Sequence, residues 1–220
     1  DDYFNTVLYT GNGQTAAQGS NAISGVGFQP DWVWLKKRDS DGANVDHALY
    51  DSTRGINAAI FSSANGAEGT FSNQFKSFDS DGFTVALADD TSFGLNRNSS
   101  PFVAWNWKAN GGTTTTNDAS ATSVGTIDSV IQANTKAGFS IVTYTGTGSA
   151  GTIAHGLGAV PKWYFTKRRS NSGHWEVYHA SNTTAPSTEH LRLSANDATG
   201  DDSQYFNDTD PTSTVFSIGD

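Results

Sequence analysis

The side chains in this chain with chemistry at hand are mostly acidic, and their spacing is that of turns. The tetrapeptide DSDG occurs twice, at Asp39–Gly42 and Asp79–Gly82. Paired carboxylates suggest calcium, but that ion takes six to eight oxygens, and neither copy continues to the third ligand and distant glutamate of an EF-hand loop. A looser calcium site would draw on Asp89 and Asp90. A hairpin turn accounts for both tetrapeptides without an ion, so the expected cofactor is none, with calcium the one ion worth considering. His155, His174, His179 and His190 contain no i, i+4 pair on a helix and no HExxH, which argues against zinc. Glycoside hydrolysis needs two carboxyls roughly 5 to 10 Å apart, and scattered aspartates do not specify such a pair. GxSxG, P-loop and Rossmann patterns are absent. In "YDSTRG", Asp51 and Arg54 read as an ion pair that steadies a turn. The chain is therefore expected not to be an enzyme.

Binding is the other chemistry on offer. "FQPDWVWLKKRDSDG", Phe28 to Gly42, combines two tryptophans with three consecutive cations. At strand periodicity Trp32, Trp34 and Lys36 share one face, and Val33, Leu35 and Lys37 the other. The tryptophan face reads as core and the other as half-exposed, because large rings contribute most to burial at about 25 cal/mol per Å². "VAWNWKA" reads the same way, with Trp105 and Trp107 inward and Asn106 and Lys108 outward. The cations Lys36, Lys37 and Arg38 stand at a strand exit, where they are candidates to touch anionic polysaccharide or phosphate-bearing lipid headgroups. A solvated edge that discourages strand pairing is the plainer reading. Trp175, Tyr178 and Tyr205 have polar flanks and are the candidates for stacking on a glycan.

The elements that must position these residues are strands. Of 22 acidic residues 19 are Asp, and Gly numbers 23, a bias towards turns and away from helices. Short alternating segments bounded by turn residues recur throughout, whereas "INAAIFSSA" is the nearest approach to a helical pattern and reads as a short helical turn or a strand. The segments also repeat. "FNTVLYTGNG" at Phe4 returns as "FSIVTYTGTG" at Phe139, and "ISGVGFQPDWVWLKKR" at Ile23 as "IAHGLGAVPKWYFTKRR" at Ile153, which sets Lys167, Arg168 and Arg169 over the first three cations. "HALYDS" then matches "HWEVYHAS", and "GFTVAL" matches "VFSIGD". The expected fold is all-β, as two tandem antiparallel β-sandwich modules of jelly-roll-like form. The first covers residues 1–110, a Gly/Thr/Ser-rich connector 111–125, and the second 126–220. "PFVAWNWKA" at Pro101 has no counterpart in the second copy, which therefore is expected to lack its last strand. A continuation of the polypeptide past Asp220 or a neighbouring chain would supply it. The start at Asp1-Asp2 without methionine reads as a segment of something longer.

A net charge of −9 disfavours nucleic acid. No apolar run approaches the roughly 20 residues of a helical membrane span. The absence of cysteine removes disulfides and thiolate chemistry.

The strings "VLYTGNG", "GVGFQPDWVWLKKR", "LYDSTRG", "SFDSDGFTV", "VAWNWKA", "ANTKAGFSIVTYTGTGSAGTIAHGLGAVPK", "WEVYHAS" and "PTSTVFSIG" resemble a repeat family of marine bacteriophages, cyanophages especially. Its members are described as tail fibres or virion structural proteins, some as lectin-like. The resemblance runs along nearly the whole chain in order. It implies a virion or extracellular location and a role as spacer or adhesin in host attachment. The implied partners are further copies, neighbouring virion proteins or a bacterial surface glycan. It brings no catalytic or binding residues with it. The readings held against it are a polysaccharide-degrading enzyme using an Asp pair and a structural protein that polymerises by strand donation.

Overall fold

The computed structural model describes residues 2–39, 46–88 and 94–220. Two expectations fall outside that range, namely most of the first DSDG turn and the Asp89/Asp90 pair. The chain is all-β, and every pairing between its named strands is antiparallel.

The first half contributes β1 (Phe4–Thr10), β2 (Asn21–Ser24), β3 (Trp32–Lys37), β4 (Ala48–Asp51), β5 (Ala58–Phe61), β6 (Gly69–Thr70), β7 (Phe75–Asp79), β8 (Gly82–Val85) and β9 (Pro101–Trp107). They form a six-stranded sheet in the order β1-β9-β3-β4-β5-β6 and a three-stranded sheet β2-β8-β7. The segment "INAAIFSSA" is thus a strand at its centre, β5. Val33, Leu35, Tyr50, Phe75, Phe83 and Phe102 fill the space between the two sheets. Burial of one such aromatic side chain stabilises by about 1.5–3 kcal/mol, so this cluster dominates the first half.

Which face turns inward differs from expectation. The interior takes Val33 and Leu35 from β3 and Phe102, Ala104 and Asn106 from β9, all fully buried. The tryptophans of both strands lie on the outside of the sandwich, where Trp32, Trp34 and Trp107 pack in a second cluster with Phe139, Ile141, Phe165 and Trp175, and Trp105 lies against Trp34. Ring size alone does not choose a face when both faces are buried; here the smaller side chains fit the tightly packed interior.

The second half adds β10 (Thr115–Asn117), the short helix α1 (Ala119–Thr122), β11 (Ser129–Asn134), β12 (Phe139–Tyr144), β13 (Gly151–Ala154), β14 (Trp163–Lys167), β15 (Trp175–His179), β16 (Glu189–Arg192), β17 (Gly200–Asp201), a second short helix α2 (Ser203–Phe206) and β18 (Val215–Ile218). The sheets are β10-β11-β12, β14-β15-β16-β17 and β13-β18.

The repeat seen in the sequence is a repeat of register. Ile23 sits opposite Phe83 and Ile153 opposite Phe216, while Val33 faces Tyr50 and Tyr164 faces Tyr178. Ile153, Phe216, Val142, Tyr144 and Tyr164 build the second interior as their counterparts build the first. One hairpin differs: β7, which pairs with β8, gives way to α2, whose Tyr205 carbonyl accepts a bond from the Gly219 amide beyond β18. The turn in the second DSDG closes the β7–β8 hairpin, with Asp79 opposite Gly82. A Cβ at Gly82 would collide with the Ile23 carbonyl of β2, so that position requires glycine.

The segment 111–125 is ordered. Its β10 pairs with β11, and Asp118 caps α1 by accepting from the Ala121 amide at 3.0 Å.

Candidate functional site

The feature that sets the two halves apart is a cleft of about 570 Å³. Its walls are all of β12 on one side and all of β14 on the other, and its floor is the outer tryptophan face of the first half, Trp32, Trp34 and Trp107. Among the described residues β12 pairs only with β11, and β14 only with β15. The two strands corresponding to them in the first half, β1 and β3, are both paired with β9, which runs between them. The cleft therefore lies where a β9 equivalent would lie. Neighbouring strands stand about 4.8 Å apart, so one absent strand opens an interval of about 10 Å.

Strand geometry dictates what the walls present. Successive residues direct their N–H and C=O groups to opposite edges. The Ala180 amide donates to the Lys162 carbonyl at 2.8 Å, which assigns the Lys162, Tyr164 and Thr166 backbone to the β15 side. The backbone groups of Trp163, Phe165 and Lys167 consequently face the cleft. In the first half the Lys108 amide donates to the Tyr3 carbonyl and the Gly11 amide to the Ser100 carbonyl, so Asn5, Val7 and Tyr9 face β9. Their counterparts on β12 are Ser140, Val142 and Tyr144. Unpaired edge groups of this kind template a further strand.

Around the cleft the two halves are fastened together. Trp32 meets Phe139 edge-on at 6.4 Å and Phe165 at 5.8 Å, and Trp107 stacks on Phe139 at 6.1 Å. The Trp175 indole N–H donates to the Phe61 carbonyl at 2.8 Å. Arg169 places two bonds of 2.8 Å on the Glu68 carboxylate, which also accepts from Arg54 at 2.8 Å. Burial alone would raise the Glu68 carboxyl, but the bonds from Arg169 and Arg54 hold it below its ordinary value. The pair Asp51–Arg54 read from the sequence is present, at 2.5 Å, and extends through Glu68 into the second half. At the connector, Asp31 accepts from the amides of Ala109, Gly111 and Gly112 at 2.7–2.9 Å, and the fully buried Gln132 carboxamide oxygen accepts from those of Asn110 and Gly112.

Several residues singled out for binding are placed otherwise. Trp175 is 2% exposed and Tyr178 3%, so neither presents a ring to a glycan. Trp175 is spent on the junction, and Tyr178 stacks on Tyr164 at 4.8 Å inside the second half. Strand β15 is buried on both faces, and even the flanking Glu176 is only 7% exposed. Tyr205 is half-buried, with its hydroxyl accepting from Arg192 at 3.0 Å and its ring 4.3 Å from His190.

The cationic triplets are split as well. Lys37 belongs to the interior face, is 3% exposed and pairs with Asp39 at 2.5 Å. Lys36 is half-buried and Arg38 exposed. Lys167 is half-buried, donates to the Arg168 carbonyl at 2.9 Å, and is lowered by burial. Arg169 is engaged by Glu68, which leaves Arg38 and Arg168 as the solvent-facing members.

The carboxylates considered for calcium or hydrolysis are used locally. Asp81 accepts from the amides of Gly25 and Gly27 at 3.1 and 2.6 Å, which lowers its carboxyl, and Asp79 accepts from the Thr84 hydroxyl at 2.7 Å. No group of three or more His, Cys, Asp or Glu is arranged to hold a metal among the described residues. His190 lies 3.6 Å from Glu176, whose carboxyl burial raises against the opposing pull of Arg192 and His190.

The sequence reading missed Asp31, Gln132 and Glu68. The available signal was mismatch between the copies, since Asp31 corresponds to the exposed Lys162, a cleft residue with no connector to hold. Comparison with curated proteins and with solved structures gives no match. One family model covers residues 1–220, and the chain belongs to that family, DUF7483, a domain of unknown function.

Proposed function

We propose that this chain is a non-enzymatic segment of a phage tail fibre or related virion appendage, serving as a spacer and contributing to contact with a bacterial surface. The observation that carries the spacer reading is the junction, where Trp32, Trp107 and Trp175 of the two halves share one core with Ile141, Phe139 and Phe165. A spacer has to transmit position without bending, and a shared aromatic core with a Glu68–Arg169 clamp resists bending better than a tether would. The virion setting draws its support from the repeat resemblance in the sequence. For surface contact, the exposed Arg38 and Arg168 are the groups suited to an anionic polysaccharide. Engagement of Asp31, Asp51, Asp81 and Asp118 by backbone amides, hydroxyls or arginine favours this reading over an Asp-pair hydrolase.

Antibodies raised against the chain test the proposal on intact particles. Labelling of the host-contact appendage is expected, and recovery of the chain only from the soluble fraction of a lysate would overturn it. A glycan array together with binding to host lipopolysaccharide tests the adhesive part separately; blanks in both would leave the spacer alone.

A further inference from the structure

We infer that the cleft between β12 and β14 is an acceptor site for one extended polypeptide strand of the β9 type, supplied from outside residues 1–220. This goes beyond the spacer reading and does not depend on it.

Three observations converge. Both walls are strands whose cleft-facing edges have no strand partner among the described residues. The same interval in the first half is filled by β9, in register with Thr10 to Phe4 on one side and Lys37 to Trp32 on the other. Trp163, which corresponds to the 7% exposed Trp32, is 50% exposed in the cleft, and the rest of its strand is only half-buried where β3 is largely buried. Among the described residues the only strand of the required type is β9 itself, which is held between β1 and β3.

The first half also specifies the chemistry of the occupant. It runs antiparallel to both β12 and β14. Its residue at the Trp107 place comes opposite Phe139 and Trp163, that at the Trp105 place opposite Ile141 and Phe165, and that at the Ala104 place opposite Val142 and Thr166. One face of the incoming strand thus completes the interior around Tyr144, Tyr164 and Phe216, and the other meets the tryptophan floor. Apolar residues are needed on both faces, with no proline inside the strand. Because both of its edges find partners, every backbone N–H in its centre is used, unlike a strand added at the margin of a sheet, which uses alternate ones.

The probe is a synthetic peptide of residues 99–110, "SSPFVAWNWKAN", added to the whole 220-residue chain. Hydrogen exchange by NMR and calorimetry are the readouts. The chain alone is expected to be monomeric, with fast exchange at the amides of Ser140, Val142, Tyr144, Trp163, Phe165 and Lys167. Peptide should bind one to one and slow those amides at least tenfold. N-methylation at Ala104 and, separately, at Trp105 of the peptide should each weaken binding at least tenfold, and the protein is untouched by this change. The inference is overturned if the peptide fails to bind, if it binds without slowing those amides, or if only one of the two N-methylations matters. It is equally overturned if the amides are already slow in the isolated monomer, or if they are slow in a dimer, which would make a second copy the occupant. Slowing by a glycan, with no response to peptide, would replace the strand by a sugar.

Discussion

Trp32 and Trp163 hold the same place in the two copies of the repeat, yet one is 7% exposed and the other 50%. The difference lies in their neighbours. Trp32 has β9 along one edge of its strand and the second half against its ring; Trp163 looks into a cleft. The same contrast appears one residue earlier, where Asp31 gathers three amides of the chain leaving β9 and Lys162 points to solvent. A repeat conserves backbone register while the energy stored at each position depends on which strands are present to collect it.

Substitution at the paired positions is the most forceful way to break the comparison. Trp32→Ala should cost about 3–5 kcal/mol, whereas Trp163→Ala should cost no more than about 1 kcal/mol. Urea unfolding measures both, and equal losses would mean that the cleft is not open in solution. Asp31→Ala should cost about 2–4 kcal/mol, since several amides lose an acceptor together, while Lys162→Ala should stay within about 0.5 kcal/mol. The same unfolding curves decide it. Trp175→Phe keeps the ring and removes the bond to the Phe61 carbonyl, for a loss of about 1–2 kcal/mol. A shift in midpoint without a change in slope is the expected result.

The smallest effect is electrostatic and depends on pH. Glu68 has a carboxyl held below its ordinary value by Arg169 and Arg54. Its stabilising contribution is therefore complete above the unfolded value of about 4.3 and is lost as pH falls through the depressed folded value. Glu68→Gln should lower stability by about 1 kcal/mol at neutral pH. Melting temperatures of the two proteins should converge in acid; a gap that stays constant with pH would assign the loss to packing instead.

Much of the fold was legible in the sequence because alternation and turn residues are local. Pairs such as Phe4 with Phe139 and Pro30 with Pro161 located equivalent strands; among the described residues β14 pairs only with β15, where β3 has both β4 and β9. What could not be read was anything decided by a third layer. Trp105 and Trp107 looked like core because they are large, yet Phe102 and Ala104 face the sandwich interior, while Trp107 packs against the other half and Trp105 against Trp34. Lys37 looked like a solvated strand end, and its alternation with Val33 and Leu35 carries it inside. Trp175 and Tyr178 looked exposed from their polar neighbours, but β15 is covered on both faces, and the neighbouring Glu176 is itself buried with Arg192 as its partner. The buried positions of Trp175, Tyr178 and Lys37 share one reason: a one-dimensional pattern identifies faces without saying what lies against them.

The loop Ala109–Gly112 has the composition that proteases favour, with an asparagine and two glycines in succession between strands. Cleavage requires some residues of backbone to leave the protein and extend into an enzyme's active-site groove. Here the carboxylate of Asp31 and the carboxamide of Gln132, one from each half, grip four consecutive amides. The scissile stretch cannot be presented until both grips let go. Nicking at this loop would accordingly time the opening of the whole junction, and a site that looks like a flexible tether would act as its lock.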